Sequence, residues 1–130
     1  MKIGNEFLSI AENIAKCYER DKHECNIAKS EGLIRSGISR AYYAAFLIAR
    51  YVLGLEYLEL SKVHRRVVDI LKENGHANIA DKLAKLREER NNADYDVYRT
   101  MQVKTLIWAV CTAKNIIEEI LKRYQYYRAL

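Results

Sequence analysis

No proline occurs anywhere in the 130 residues, and only Gly4, Gly32, Gly37, Gly54 and Gly75 relieve the chain of side-chain constraint. Proline removes a backbone donor and breaks a helix, and β-sandwiches need turn residues every few positions. A chain this poor in both has little to end a helix with and little to build hairpins from. Half of it is apolar, enough to bury a core at the length of a single domain. The expectation is one all-α domain over residues 1–130.

Apolar spacing divides the chain into five helices. The first begins at Asn5 as N-cap and carries Phe7, Ile10, Ala11, Ile14, Cys17 and Tyr18 on one stripe. Cys25 and Ala28 prolong that stripe to about Glu31, with Gly32 as C-cap. The second spans Ile34 to Leu53. Ile38, Ala41, Tyr42, Ala45, Ile48, Ala49 and Val52 share one side of it, and Tyr43, Leu47 and Tyr51 lie opposite with Arg40 beside them. Only a narrow sector around Arg35, Ser39 and Arg50 is polar. Such a helix is central to its bundle or shared with a second subunit. The third runs from Ser61, as cap, to Asn74-Gly75, with Val63, Val67, Ile70 and Leu71 inward. The fourth runs from Asn78 to Tyr95. The fifth runs from Thr100 to Tyr127 on a stripe of Val103, Leu106, Ile107, Val110, Ala113, Ile117, Leu121 and Tyr124. Short connections make neighbours antiparallel. The fold expected is an up-and-down antiparallel four-helix bundle with an additional short helix.

Several function classes fall away. The three cysteines, Cys17, Cys25 and Cys111, form no CxxC pair, and Cys17 and Cys111 lie on apolar faces and are read as core. His23, His64 and His76 are too far apart for a metal-ligand pair at helical spacing, and His64 reads as an exposed helix residue. No phosphate-binding glycine loop, dinucleotide fingerprint or serine-hydrolase signature occurs, so neither metal nor cofactor is expected. The start, MKIGNEFL, is not a signal peptide, and the longest apolar run is too short to cross a membrane, which reads as a cytoplasmic protein. The net charge of +5 is spread over helix faces. It allows a phosphate-bearing partner without demanding one. Tyr124, Tyr126 and Tyr127 read as interface packing.

Helix four holds the anomaly. With Ile79, Leu83, Leu86, Ala93 and Val97 defining its apolar stripe, Arg90 falls about 20° from Ile79, inside the stripe, and Asp94 follows one turn on. A buried guanidinium needs a carboxylate, backbone oxygens or a wet cleft. One reading is a structural ion pair with Asp94, steadied by Tyr95 or Tyr98. The other is a cleft in which Arg90 meets a phosphate or a developing oxyanion. Arg40, next to Tyr43, points into the same cleft, faces a dimer partner, or covers apolar surface with its stem. Lys114 falls within the fifth stripe and either snorkels or answers Asp94.

Two motifs resemble a known family. Ser39-Arg40-Ala41-Tyr42-Tyr43-Ala44-Ala45-Phe46 is similar to the SRxYYAxF motif on the second helix of HEPN (higher eukaryotes and prokaryotes nucleotide-binding) domains, with Gly32 and Gly37-Ile38 upstream, Gly37 standing where alanine is more usual. His64 and its following helix resemble the family's third helix. Leu86 to Tyr95 matches LxxxRNxADY on its fourth. The resemblance implies a helical bundle that commonly forms a homodimer, often partnered by a minimal nucleotidyltransferase in toxin–antitoxin-like pairs. Several branches are metal-independent ribonucleases using an R-x4–6-H motif, in which the arginine holds the scissile phosphate and the histidine does acid–base work on the 2′-hydroxyl. Here no histidine follows Arg90. Tyr95 occupies the five-residue offset, and a phenol with an ordinary pKa near 10 is a poor base at neutral pH.

The expected function is therefore RNA or nucleotide binding at a cleft of Arg40, Tyr43, His64, Arg90, Asn91, Asp94 and Tyr95. An active ribonuclease toxin is the alternative, with Arg90, Asp94 and Tyr95 as catalytic candidates or with His64 recruited from another helix. A non-catalytic interaction module is the third.

Overall fold

A computed structural model describes residues 2–20 and 31–124. Five helices account for most of them: α1 (Lys2–Arg20), α2 (Glu31–Val52), α3 (Leu60–Glu73), α4 (Ala77–Tyr95) and α5 (Val103–Arg123). No strand occurs among the described residues. Helices α1, α2, α4 and α5 form a four-helix ring with α2 and α5 also in contact across it, and the shorter α3 packs on α4 and α2. This is the expected bundle with its additional short helix.

Helix α2 is central, as its two apolar sides require, and touches all four others. Ile38, Ala41, Tyr42, Ala45, Ile48, Ala49 and Val52 are all buried, while Tyr43 and Leu47 pack at the margin of the core. Gly37 sits where α1, α2 and α5 meet. A Cβ there would stand 2.5 Å from Leu106 Cδ1 and 3.4 Å from Ile14 Cγ2, so a bare backbone lets α5 approach. The narrow polar sector of α2 faces the connections. Arg50, for example, donates to the carbonyls of Glu56 and Leu58.

Glycine ends two helices in the manner their sequences suggest. After α2, Gly54 has φ 70°, and the N–H groups of Leu55 and Gly54 return to the carbonyls of Arg50 and Tyr51. After α3, Gly75 has φ 80°, and those of His76 and Gly75 return to Leu71 and Lys72. Both satisfy orphan carbonyls with a left-handed residue that a Cβ would strain.

Several boundaries and faces differ from expectation. Asn5 lies inside α1, not at its cap, because the helix begins at Lys2 and packs Gly4 against Ile48. Gly32 belongs to the first turn of α2 and is not a C-cap. Ser61 lies within α3, whose N-cap position is Glu59. Helix α5 starts at Val103 and ends at Arg123. Its inward face is broader than the expected stripe, taking in Ala109, Ile116 and Ile120, and it leaves Leu121 49% exposed. Cys111 is exposed, not core, because it lies on the outer side of that face. Lys114 is exposed as well, and the partners found for Asp94 are Ser39 and Arg90. Val97 falls beyond α4 in an exposed turn. The Cys17 side chain, His23, Cys25, Ala28, Tyr126 and Tyr127 lie outside the described residues.

Candidate functional site

Arg90 is buried, 9% exposed, on the α4 face turned toward α2. Its guanidinium carbon lies 4.9 Å from the ring centroid of Tyr42, 5.3 Å from Tyr43 and 5.9 Å from Tyr95. Consecutive tyrosines on α2 thus flank it, and Tyr95 arrives from the end of its own helix. Cation–π contact offsets part of the cost of burying the charge. It does not use the N–H groups, which are what a guanidinium must satisfy.

Arg90 reaches the Tyr42 hydroxyl, but not all of its N–H groups are satisfied. The ion pair with Asp94 Oδ2 is 3.9 Å long, and the Nε of Arg90 is buried without a hydrogen-bond partner. Asp94 itself is held by Ser39, whose Oγ donates to Oδ2 at 3.1 Å. One turn back on α4, Arg87 also buries an Nε with no partner. The spacing of 87 and 90 puts both arginines on one face.

His64 was read from sequence as an exposed residue; it is buried, 9% exposed, because the inner face of α3 packs onto α4 and α2. Its Nδ1 shares a 3.2 Å hydrogen bond with the Tyr42 hydroxyl. Burial, then the charges of Arg87 and Arg90, hold its pKa down at about 4. The imidazole is neutral at neutral pH. Burial pushes the Tyr42 phenol up to about 12, against the pull of Arg90 and Arg87. The pair is uncharged beside two guanidiniums.

Beyond Asp94 the site opens into a polar groove between the first turns of α2 and the end of α4. The groove has a volume of about 370 Å³; Arg35, Ser36, Ser39, Arg40 and Asp94 contribute its polar lining, and Arg90 adjoins it through Asp94 without lining it. Arg40 is exposed at the rim, with its guanidinium 4.8 Å over the Phe7 ring. It serves two of its expected roles at once, facing the cleft and covering an apolar side chain.

The structure brings together Tyr43, Arg90, Asp94 and Tyr95, with Arg40 at the groove rim and His64 behind Tyr42. Asn91 is exposed, and none of the contacts found at Arg90 involves it. Tyr98 does not steady Arg90, being 97% exposed. Sequence reasoning missed Arg87, Tyr42 as the partner of His64, and the role of Arg35. The i, i+3 spacing of Arg87 and Arg90 was a usable signal for the first. The i, i+4 pair Glu31 and Arg35 was one for the last, since such a pair marks a side chain held in a fixed direction.

Known proteins match the chain around this site. The HEPN domain family model matches residues 16–124, which include every residue of the cluster. An uncharacterized protein of Methanocaldococcus jannaschii is 31% identical over 102 residues, covering 64% of this chain and 61% of that protein. The chain therefore spans less than two thirds of the length of that curated relative. No solved structure matches.

Proposed function

This chain belongs to the HEPN domain family, and we propose on that footing that it binds RNA or a nucleotide through a phosphate seated on Arg90. Family membership supports a nucleotide- or RNA-related role at the family level. The observation that carries the finer reading is the partly unsatisfied guanidinium. Its faces are covered by tyrosine rings, its Nε has no partner, and its one carboxylate stands at 3.9 Å. A phosphate oxygen supplies the short, charge-assisted hydrogen bonds that Asp94 does not. Arg40 at the groove rim takes a second phosphate of the same strand. In this reading the chain acts as a homodimer and as one half of a toxin–antitoxin-like pair with a minimal nucleotidyltransferase.

The test is a titration of the full chain with fluorescently labelled single-stranded RNA and with mononucleotides at low salt. Binding that weakens as salt rises, and falls at least roughly 10-fold in Arg90→Met, is expected for a phosphate contact. Absence of binding to either probe contradicts the reading. Co-expression with a neighbouring nucleotidyltransferase gene tests the pairing, and light scattering of the purified chain tests the dimer.

A second reading has its own observation. His64 supplies a neutral imidazole, hydrogen-bonded to Tyr42, next to Arg87 and Arg90. An imidazole of that kind accepts a proton from a 2′-hydroxyl, which then attacks the adjacent phosphorus and expels the 5′-oxygen, leaving a 2′,3′-cyclic phosphate. This would restore from α3 the base that the end of α4 lacks. RNA cleaved in the presence of a chelator, with cyclic phosphate ends, and left intact by His64→Gln, is the outcome this reading requires. Burial of the ring ranks it second, because a base must reach the hydroxyl it deprotonates, and so does its pKa of about 4, which makes it a weak proton acceptor at neutral pH.

A further inference from the structure

Arg35 lines the same groove as Asp94 and yet has no donor to spare. Its Nε and one Nη2 hydrogen go to the Glu31 carboxylate, at 3.3 and 3.0 Å. Its Nη1 donates to the carbonyls of Asn92 and Ala93, at 3.0 and 2.9 Å, and Nη2 also reaches the carbonyl of Arg99. A guanidinium has five N–H groups, and all five are engaged. Glu31 in turn accepts the backbone N–H of Met101 at 3.0 Å, and this bond, followed by Arg35, holds its carboxyl below the usual range.

The acceptors share a location. Asn92 and Ala93 carry carbonyls from the last turn of α4, where intrahelical partners run out; that of Asn92 also accepts the Asp96 N–H at 3.0 Å. Arg99 and Met101 close the turn that follows. The first two turns of α2 therefore grip both ends of the 96–102 connection, and Asp94 and Tyr95 lie in the gripped turn of α4. A cation at a helix C-terminus also complements the helix dipole. Here it is delivered by another helix, 57 and 58 residues away in sequence.

We propose that Arg35, with Glu31, is the positioning element of the groove beside Arg90, acting through the last turn of α4 to hold Asp94 against Ser39 of α2 and Tyr95 over Arg90. It does not itself take a phosphate, since doing so would release a backbone carbonyl. This rests on the reading of the groove as a phosphate site. Lysine cannot replace it, having three donors and no planar fork.

The experiment uses the full chain as wild type, Arg35→Gln, Arg35→Lys and the milder Glu31→Ala. Hydrogen exchange is followed by mass spectrometry, and labelled single-stranded RNA is titrated at low salt. Arg35→Gln and Arg35→Lys are expected to speed exchange over residues 92–101 by at least about 10-fold, with exchange in the centre of α5 unchanged. RNA affinity should fall about 10-fold in both, and by less in Glu31→Ala. In a background already carrying Asp94→Ala and Tyr95→Ala, adding Arg35→Gln should weaken binding by less than about 2-fold, because the residues it positions are gone. A merely structural role gives losses that add in that background, and additive losses overturn the proposal. So does unchanged protection of 92–101, or full binding by Arg35→Lys. Failure of the wild type to bind RNA overturns the functional reading and the positioning role with it, whereas binding with additive losses removes the positioning role alone.

Discussion

Arg35 and Arg90 are the two partly or fully buried arginines where α2 meets the end of α4, and they are treated in opposite ways. Arg35 has every N–H engaged, three of them by backbone carbonyls of the last turn of α4 and the connection after it. Arg90, better buried, has the Tyr42 hydroxyl, one distant carboxylate, an unpartnered Nε and aromatic rings over its faces. A saturated guanidinium fixes geometry. A partly unsatisfied one, buried at a cost of several kcal/mol if left unpaired, keeps in the proposed reading a binding capacity for something that is not part of the fold. The same residue type thus stands in two states on two packed helices, and hydrogen-bond occupancy tells them apart where burial does not.

The largest effect should come from breaking the saturated side. Arg35→Gln removes charge-assisted bonds to three carbonyls, and denaturant unfolding should show a loss of about 3 kcal/mol. A loss under about 1 kcal/mol would mean that the two arginines do not differ in structural weight.

Next is pH. His64 keeps a pKa of about 4 in the fold against an ordinary 6.5. Between those values the unfolded chain binds the proton and the folded chain does not, so stability present above pH 6.5 is lost as pH falls toward 4. The His64 share of that loss between pH 7 and pH 4.5 should be about 2 kcal/mol, read as the difference between wild type and His64→Gln. Equal pH dependence of the two proteins would show that His64 is not held neutral beside the arginines.

Arg90→Met tests the other half of the contrast. Replacing a buried, poorly paired charge by an apolar side chain of similar length should change stability by no more than about 1 kcal/mol in either direction. A loss of about 3 kcal/mol or more would identify Arg90 as a fold-specifying ion-pair residue, the interaction-module reading. Smallest of all, Tyr95→Ala should cost about 0.5 kcal/mol or less by thermal melting, since that ring is 72% exposed. A larger loss would show that Tyr95 belongs to the core and not to the groove.

Much of this was legible in the sequence for reasons that can be named. Helix α2 was readable because its burial follows a period that few side chains interrupt, and the ends of α2 and α3 because Gly54 and Gly75 adopt a backbone that few other residues tolerate. Arg90 was readable because one charge in an apolar stripe is conspicuous. Helix starts were not, because Asn5 and Ser61 look like caps while packing against α2 and α4 decides where α1 and α3 begin. His64 was misjudged because its burial depends on how α3 leans on the bundle, and neighbours in sequence, Arg65 and Arg66, are both exposed. Arg35 escaped notice for the same kind of reason. Its partners are carbonyls, which every residue carries, and no side-chain pattern announces them.

The central claim is that Arg90 keeps its hydrogen-bonding capacity for a phosphate. Its most direct measurement is a parallel titration of wild type and Arg90→Met with the same labelled single-stranded RNA, each protein's melting temperature being recorded in the same buffer. Arg90→Met is expected to bind at least roughly 10-fold more weakly, with a shallower salt dependence and a melting temperature close to that of wild type. Equal affinity in the two proteins, or a variant whose melting temperature collapses, would contradict it.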